Sequence, residues 1–331
     1  MEVQMNLMPI AVHHEWGRLR EVIVGIGDDI FMPSYCEALS FFYDPAQVEM
    51  MKKYGGVSEL ELNPEYAKEA GKQIDNLALE LEKQGVVVHR SQRLRPEEMK
   101  YLDYVQKGSH FFYARDPVIV IGNHVIEGAM SIPFKVKERY AIRPILRKRL
   151  WGSDVKYVSM PVPSPAFGRD QIYLEGGDVL LNGREIYVGI SGKGSSPEGA
   201  GWLQSYLGPG YRVHQIKVSP EFEHLDCVLA LARPGLGVRC KEGLVRELPE
   251  SIRDWDYVEV TKEEAKKLGA NLLVLDDRTV IMDKQHHRIG QELEKRGVEV
   301  IVIPYDQVAS SGGGLRCSHH PLVRESVLLP A

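Results

Sequence analysis

The stretch DPVIVIGNHVIEG at residues 116–128 has two further versions in the chain, GDVLLNGREIYVGIS at 177–191 and NLLVLDDRTVIMD at 271–283. Each version contains two apolar, β-rich runs around a turn signal, which is Gly-Asn, Asn-Gly or Asp-Asp. This arrangement predicts a β-hairpin in all three places. Looser copies begin at Arg20 (REVIVGIG) and at Asp226 (DCVLALARPGLGVR), so we expect five hairpin-containing units.

Helical patterns followed by another strand complete these units. The clearest helical patterns are 65–84, 199–207 and 287–296, and each is followed by a glycine suited to a helix C-cap and then by an apolar strand. Five irregularly spaced ββαβ units predict an α/β fold that closes as one pseudo-symmetric domain over residues 1–331. The pattern alone leaves open an ordinary α/β fold with coincidental hairpins.

Composition excludes several classes of protein. The chain has 331 residues, of which 44% are hydrophobic, and this content excludes a disordered chain. A net charge of −5 gives no general attraction to nucleic acid or to an anionic membrane. Residues 1–12 (MEVQMNLMPIAV) do not resemble a signal peptide, and no apolar run is long enough for a membrane helix. We therefore expect a cytoplasmic protein whose four cysteines are free thiols.

The segment 310–325, SSGGGLRCSHHPLVRE, is the most unusual in the chain. Its three successive glycines let the backbone bend and approach a ligand, and they place Cys317 on a loop that follows an apolar strand. Arg316, His319 and His320 beside the thiol predict a lowered pKa and a role as nucleophile. The alternative is a small cysteine buried in the core.

A cysteine nucleophile needs a general acid–base group, usually from elsewhere in the chain. The segment EHLD places His224 and Asp226 two residues apart at the start of an apolar strand. In a strand these two side chains would project from one face, so both could line one cavity. A surface pair at a strand entrance is the alternative.

Acidic residues recur where other predicted hairpins begin. Glu175 and Asp178 flank two glycines in LEGGD, and Asp116 opens the strand VIVIG. If the units close around an axis, these edges converge. Carboxylates, an imidazole and a thiol would then suit a planar guanidinium, whose N–H pairs two carboxylates can hold while a thiolate attacks the central carbon. This chemistry needs no metal and no organic cofactor.

Five segments resemble, in the same order, motifs of the amidinotransferase family: HEWGRLREVIVG (14–25), ARDPVIVIGNHVIEGAM (114–130), EGAGWLQSYLGPGYRVH (198–214), HLDCVLALARPGL (224–236) and SGGGLRC (311–317). That family belongs to the guanidino-group-modifying superfamily, which has the fivefold α/β-propeller or pentein fold. The resemblance covers nearly the whole chain. It implies that fold, a small-molecule guanidino substrate such as arginine, an amine acceptor and a homodimer.

The resemblance also implies roles for individual residues. Cys317 would form a covalent amidino–cysteine intermediate, His224 would be the general acid–base group, and Glu175 would orient it. Asp116 and Asp226 would hold the guanidinium. Further candidates for substrate binding are Asp178 and Arg316, and the candidates for the substrate's α-carboxylate are Arg139, Arg143, Arg233 and Arg316.

Some features are closer to the hydrolases of the superfamily. The EGGD form at 175–178, the Leu315-Arg316 pair before the cysteine and the following PLVRE are more similar to arginine deiminases or dimethylargininases. The segment between Cys240 and Asn271 is also shorter than the insertion of the transferases. The first prediction is therefore an amidinotransferase, and the alternative is a guanidino hydrolase in which water is the acceptor. A catalytically silent binding protein would have lost a member of the triad, and all three are present.

Overall fold

A computed structural model describes residues 8–27, 30–37, 39–104, 106–151, 153–164 and 171–326. The strands in these ranges are β1 (Leu19–Val24), β2 (Val87–Arg90), β3 (Val118–Ile121), β4 (His124–Glu127), β5 (Lys156–Ser159), β6 (Val179–Asn182), β7 (Glu185–Ile190), β8 (Arg212–Lys217), β9 (Leu229–Arg233), β10 (Leu236–Arg239), β11 (Asp256–Glu259), β12 (Leu273–Val274), β13 (Thr279–Asp283), β14 (Glu299–Ile303) and β15 (His319–Arg324).

The helices complete the units. The α-helices are α1 (Leu39–Phe42), α2 (Pro45–Tyr54), α3 (Glu59–Leu62), α4 (Pro64–Lys83), α5 (Pro96–Leu102), α6 (Glu138–Leu150), α7 (Pro197–Leu207), α8 (Glu250–Arg253), α9 (Lys262–Lys266), α10 (His287–Glu294) and α11 (Asp306–Ala309). Short 3-10 helices span Pro133–Lys137, Gly176–Asp178, Leu225–Cys227, Lys241–Gly243 and Lys284–His286.

The strands form five three-stranded sheets of one design. In each sheet the middle strand is antiparallel to one neighbour and parallel to the other, and the orders are β15-β1-β2, β3-β4-β5, β6-β7-β8, β11-β10-β9 and β12-β13-β14. A helix lies between the second and third strand of every unit. The prediction of five ββαβ units in an α/β fold is confirmed.

The unit that begins at Arg20 is assembled from both ends of the chain. β1 pairs antiparallel with β15, with Val24 opposite His319, and it pairs parallel with β2. The strand preceding β1 within its sheet therefore comes from the C-terminal part of the sequence. This explains why the sequence showed only half a hairpin at Arg20.

The predicted helices and caps form as expected. Ile74, Leu77 and Leu81 of α4 are fully buried, and Gly85 just beyond that helix has a φ of +78°, the left-handed conformation that favours glycine at a C-cap. All four cysteines lie in the described residues and none of them forms a disulfide. Within the same residues, no helix has the length and apolarity needed to cross a membrane.

Candidate active site

The loops that precede the first strand of each sheet are joined in a closed ring of hydrogen bonds. The links run from Arg115 N to Cys317 O (3.0 Å), Gly176 N to Asp116 O (3.1 Å), Leu225 N to Asp178 Oδ1 (2.9 Å), Asn271 Nδ2 to Asp226 O (3.2 Å) and Cys317 N to Asn271 Oδ1 (3.2 Å). Each sheet thus contributes one loop to one site. The edges that the sequence predicted to converge do converge.

Cys317 lies two residues before β15, at the end of the glycine-rich loop, and is 6% exposed. Its Sγ is 3.2 Å from the amide nitrogen Nδ2 of Asn271, which donates to it, and 3.7 Å from Oδ2 of Asp226. Gly314 in the preceding loop packs on Asn271, since an added Cβ would lie 2.6 Å from its Oδ1. The thiol is therefore held between a hydrogen-bond donor and a carboxylate.

The pKa of the Cys317 thiol is raised well above its ordinary value, because the thiol is buried and faces the carboxylate of Asp226. The lowered pKa predicted from neighbouring basic residues is wrong. Arg316 directs its guanidinium to buried carboxylates, including Asp226. Burial and nearby arginines hold the pKa values of His319 and His320 well below the ordinary value, so both stay uncharged.

His224 and Glu175 form a buried pair on the other side of the site. Nε2 of His224 lies 3.0 Å from Oε2 of Glu175, whose other oxygen accepts two 2.7 Å hydrogen bonds from the N–H and hydroxyl of Ser131. Burial works to lower the pKa of His224, but surrounding carboxylates, Asp116 foremost, outweigh it and hold the pKa well above its ordinary value. The ring is therefore an imidazolium at neutral pH.

Lys135 supplies a second cation in this half of the site. Its Nζ donates to Asp116 Oδ2 (2.8 Å), Glu175 Oε2 (2.7 Å) and Glu223 Oε1 (3.3 Å), and the residue is 7% exposed. Burial works to lower the pKa of Lys135, but the three carboxylates outweigh it and raise the pKa well above its ordinary value. Lys135 and His224 in turn outweigh the effect of burial on Glu175 and hold its pKa well below the ordinary value.

Asp116 lies close to the same histidine. Its Oδ1 accepts a 2.9 Å hydrogen bond from Gly177 N and is 3.8 Å from Nδ1 of His224. A Cβ added at Gly177 would lie 2.7 Å from that nitrogen and 2.8 Å from Asp116 Oδ1. The glycine pair predicted to bend beneath a pocket is needed because the backbone passes so close to both side chains.

Asp178 holds two loops in place. Its oxygens accept hydrogen bonds from the backbone N–H of Leu225 (2.9 Å) and of Ser195 (2.7 Å), and the side chain is fully buried. Burial raises the pKa of Asp178 to about 7. Because both oxygens are engaged by the backbone, the geometry favours an anchoring role over the predicted contact with substrate.

Asp116, Glu175 and His224 are grouped tightly enough to be compared with a metal site, since one ligand atom from each lies within 4.8 Å of the others. The positive charge between the two carboxylates is here the Lys135 ammonium. The lysine already neutralises both carboxylates by donating hydrogen bonds to them. The residues present therefore do not favour a metal ion.

Comparisons with known proteins agree with this fold. The family model of arginine deiminases matches residues 253–324. Inosamine-phosphate amidinotransferase 1 of Streptomyces glaucescens is 27% identical over 342 residues, which cover 93% of this chain and 95% of that protein. SxtG, an amidinotransferase from Microseira wollei, superposes with a TM-score of 0.83 at 23% identity, with 98% of this chain and 99% of that chain covered. The DDAH of Pseudomonas aeruginosa has a TM-score of 0.64 at 16% identity, covering 92% and 99%.

The chain thus resembles amidinotransferases over most of its length and shares their fold. The resemblance and the fold expected from the five sequence motifs are therefore confirmed. Within this site the structure brings together Cys317, Asp226, His224, Glu175 and Asp116, which are among the residues that the sequence singled out.

The local geometry of His224 and Asp226 differs from the prediction. They were placed on one face of a strand, but Leu225–Cys227 forms a short 3-10 helix and β9 begins only at Leu229. The turn of this helix sends His224 toward Glu175 and Asp226 toward Cys317. Both residues therefore lie in the site because of a helical turn and not because of the alternation of side chains along a strand.

Arg316 is placed differently from the prediction that it binds substrate. Its guanidinium is buried beneath the site and donates to Asp226 Oδ2 (3.1 Å), to both oxygens of Glu15 (3.2 Å each) and to Val179 O (2.8 Å). With these donors engaged, the geometry favours a structural role that holds Asp226 in position.

The other arginines considered for the substrate's carboxylate also have other contacts. Arg139 is fully buried and donates to Ser159 Oγ (3.2 Å). Arg143 grips Glu127 with two hydrogen bonds of 2.9 and 2.8 Å, and Arg233 donates to a backbone carbonyl at Arg296. None of these contacts brings a guanidinium to the thiol.

Three contributors to the site were missed by the sequence reasoning: Ser131, Lys135 and Asn271. Asn271 had a usable signal, because it opens the predicted hairpin 271–283 at the position where Asp116 opens 116–128. Lys135 and Ser131 had none, because they lie outside the repeated hairpins, in the connection between β4 and α6. Their contacts depend on how that connection folds over the site.

Proposed function

We propose that this enzyme takes the amidino group of arginine, or of a close guanidino compound, and passes it to an amine acceptor through a covalent intermediate on Cys317. The observation that carries the proposal is the convergence of a thiol, a Glu175–His224 pair and two further carboxylates in one buried site. Three carboxylates in one buried site suit a cation, and a guanidinium offers them paired N–H donors.

Asp116 and Asp226 would hold the guanidinium so that its central carbon faces Cys317. The thiolate forms a bond to that carbon, and the carbon–nitrogen bond to the rest of the substrate then breaks. His224, an imidazolium at neutral pH, gives its proton to the departing amine. The products of this half are the free amine, which is ornithine when arginine is the donor, and an amidino group on sulfur.

The second half reverses these roles. An acceptor amine forms a bond to the amidino carbon, and the sulfur leaves as a thiolate. The neutral imidazole of His224 takes the proton that the acceptor loses, and it returns to the imidazolium. Glu175 orients the ring throughout and stabilises its charged form.

Binding of the substrate would itself activate the nucleophile. In the free protein burial and nearby carboxylates raise the pKa of Cys317, so the thiol is neutral. A guanidinium seated against Asp226 brings a positive charge to within a few ångströms of the sulfur and lowers the thiol's pKa. The proton leaves to solvent, and a reactive thiolate exists only when substrate is present.

Hydrolysis is the second candidate. The match of the arginine deiminase family model to 253–324 includes the Leu315-Arg316-Cys317 segment, which favours it. In that reaction ammonia would leave from arginine, and water would attack the amidino carbon to give citrulline. The longer similarity to amidinotransferases, over 93% of the chain, favours transfer.

We further propose that residues 1–331 act as one domain in the cytoplasm. A free thiol at the centre of the chemistry is compatible with a reducing compartment.

One experiment separates the two reactions. The protein is incubated with arginine labelled at the guanidino carbon, with and without glycine, lysine or hydroxylamine, and the products are identified by mass spectrometry. Without an acceptor we expect at most one equivalent of ornithine per enzyme, and we expect continued ornithine formation and a labelled amidino product only when an acceptor is present. Citrulline formed without an acceptor would overturn the transferase proposal, and an acid-quenched amidino adduct on Cys317 would support the intermediate in either case.

A further inference from the structure

Lys135 occupies the place where a substrate cation would be expected. Its Nζ lies 2.8 Å from Asp116 Oδ2, the oxygen of that carboxylate not engaged by Gly177 N. The same ammonium is 2.7 Å from Oε2 of Glu175, the oxygen that His224 also approaches. A guanidinium held by Asp116 needs the oxygen that the lysine now uses.

We propose that Lys135 is an internal competitor for the substrate: its ammonium fills the cation position beside Asp116 in the free enzyme, and a substrate guanidinium must displace it to bind there. This inference rests on the proposed function, because it assumes that Asp116 holds the substrate's guanidinium. Lys135 acts through Asp116 and does not touch the reacting atoms in the free structure, so it is a positioning residue that sets the affinity of the site for cations.

The surroundings give the displaced ammonium somewhere to go. Glu223 already lies 3.3 Å from Nζ, and its side chain is 36% exposed, which places it toward the solvent side of the site. Glu138 is buried, which raises its pKa well above the ordinary value, and one of its oxygens has no hydrogen-bond partner, so it offers an acceptor but no counter-charge. The lysine chain can rotate from Asp116 toward Glu223 without leaving its charge unpaired.

The competition sets a threshold for any cation at this position. The free-energy cost of displacing Lys135 is the same for every ligand that takes its place, and the tethered ammonium has the advantage of a high effective concentration. A guanidinium offers paired, planar donors that an ammonium cannot reproduce, so it recovers more of that cost than a free amine such as ornithine.

Binding is measured in the Cys317→Ser background, where no turnover occurs, by isothermal titration with arginine and with ornithine. Replacing Lys135 by Met removes the competitor, so we expect arginine to bind about tenfold more tightly, as for a site occupied nine-tenths of the time by the competitor. Ornithine should gain by no more than the same factor, because the cost of displacing the lysine does not depend on the ligand that replaces it. A loss of structural support would instead weaken both ligands.

Lys135→Arg provides a test that does not depend on losing the charge. An internal guanidinium should compete better than an ammonium, so arginine should bind several-fold more weakly than with lysine at 135. The dissociation constant for arginine should be lowest with methionine at 135, higher with the native lysine and highest with arginine. If Lys135→Met does not fold, equal or tighter arginine binding by Lys135→Arg still overturns the proposal.

Lys137→Met is the matched control. Lys137 is also buried, two residues along, but its Nζ binds Asp103 and Gly108 O (2.7 Å), away from the thiol. We expect no tightening of arginine binding in this variant. If the Cys317→Ser protein with Lys135 intact binds no arginine, the proposed function fails; if it binds arginine but Lys135→Met weakens the binding, the competitor proposal alone fails.

Discussion

The two sides of the active site are built on opposite principles. On one side His224, Glu175, Asp116 and Lys135 form a saturated network in which each charge has a counter-charge within 4 Å. On the other side the Cys317 thiol is neutral, its pKa raised by burial and by the carboxylate of Asp226, although the amide of Asn271 donates to it. The acid–base side is charged before substrate arrives, whereas the nucleophile side is not.

This difference shows how a reactive thiol can be kept protonated until substrate binds. A permanently ionised thiolate is open to oxidation and to adventitious alkylation. Here the carboxylate that should hold the substrate also keeps the thiol protonated until a cation neutralises it. The proton donor, in contrast, can be kept charged at no such risk, because an imidazolium is not a nucleophile.

The largest effect is expected from Cys317→Ser. Removing the nucleophile should lower arginine turnover by at least about four orders of magnitude, in line with nucleophiles of other covalent enzymes. Arginine turnover and iodoacetamide labelling of the protein are both measured. Cys227→Ser is the control, because Cys227 is another buried thiol beside Asp226, at 3.8 Å from its Oδ1. Turnover that survived in Cys317→Ser would show that Cys317 is not the nucleophile. The distinction between the two sides of the site would then be wrong.

Arg316→Met tests what supports the nucleophile side. The change leaves Glu15 and Asp226 as buried charges without their partner, so the free energy of unfolding should fall by about 3–5 kcal/mol. Urea denaturation measures it. Arg288→Met is the control, because its pair with Glu264 is half-exposed and should contribute about 1 kcal/mol or less. A variant that stayed stable and showed only a raised KM for arginine would restore Arg316 as a substrate ligand.

The repeated hairpins made much of the fold predictable from sequence. Alternating apolar runs with Gly-Asn or Asn-Gly turns report local pairing, and the glycine at 85 reports a helix end, so these elements formed where expected. The β1–β15 pairing could not be predicted from the sequence, because its two strands lie at opposite ends of the chain and no local turn joins them.

The site was predictable where its residues share the symmetry of the fold. Asp116, Glu175, His224 and Cys317 each precede the first strand of a unit, so one argument located them all. Lys135 lies outside that symmetry, and its effect on the charge of the site depends on a non-repeated connection. The ionisation of Cys317 was mispredicted for a related reason: sequence neighbours such as Arg316 do not have to point toward the thiol.

Glu175→Gln tests the acid–base side. Loss of the carboxylate removes a charged partner of His224, so the imidazolium is less stable and the pKa of the ring falls. We expect kcat to fall by about 10²–10³. Because His224 donates its proton as an imidazolium, the alkaline limb of the rate profile should move to lower pH.

Glu185→Gln is the matched control for that change. Glu185 also pairs with a histidine, His214, but the pair lies at the surface between β7 and β8. Kinetics across the pH range should be unchanged there. A pH profile that moved equally in both variants would show that the shift comes from the overall charge of the protein and not from the buried pair.

Asn271→Asp gives the smallest expected effect and addresses the thiol directly. An aspartate can still accept the hydrogen bonds from Arg316 N and Cys317 N, at 2.9 and 3.2 Å in the native protein, but it no longer donates to Sγ and adds a negative charge beside it. The pKa of Cys317 should rise by about one unit, equivalent to about 1.4 kcal/mol. The rate of iodoacetamide alkylation at Cys317 is followed against pH by peptide mass spectrometry, with Asn182→Asp, which alters a contact to Tyr187, as the control.

The same titration repeated with arginine present decides whether substrate supplies the missing cation. In the Asn271→Asp protein the added negative charge should make the thiol depend more strongly on that cation, so arginine should lower the alkylation midpoint by more than it does in the native protein. Arginine is kept saturating at every pH and the rate is normalised to the Cys317 peptide that carries no amidino adduct, so protection scales the alkylation rate without moving the midpoint. If the midpoint were the same with and without arginine, the protein alone would determine the ionisation of the thiol. The proposed difference between the two sides of the site would then be wrong.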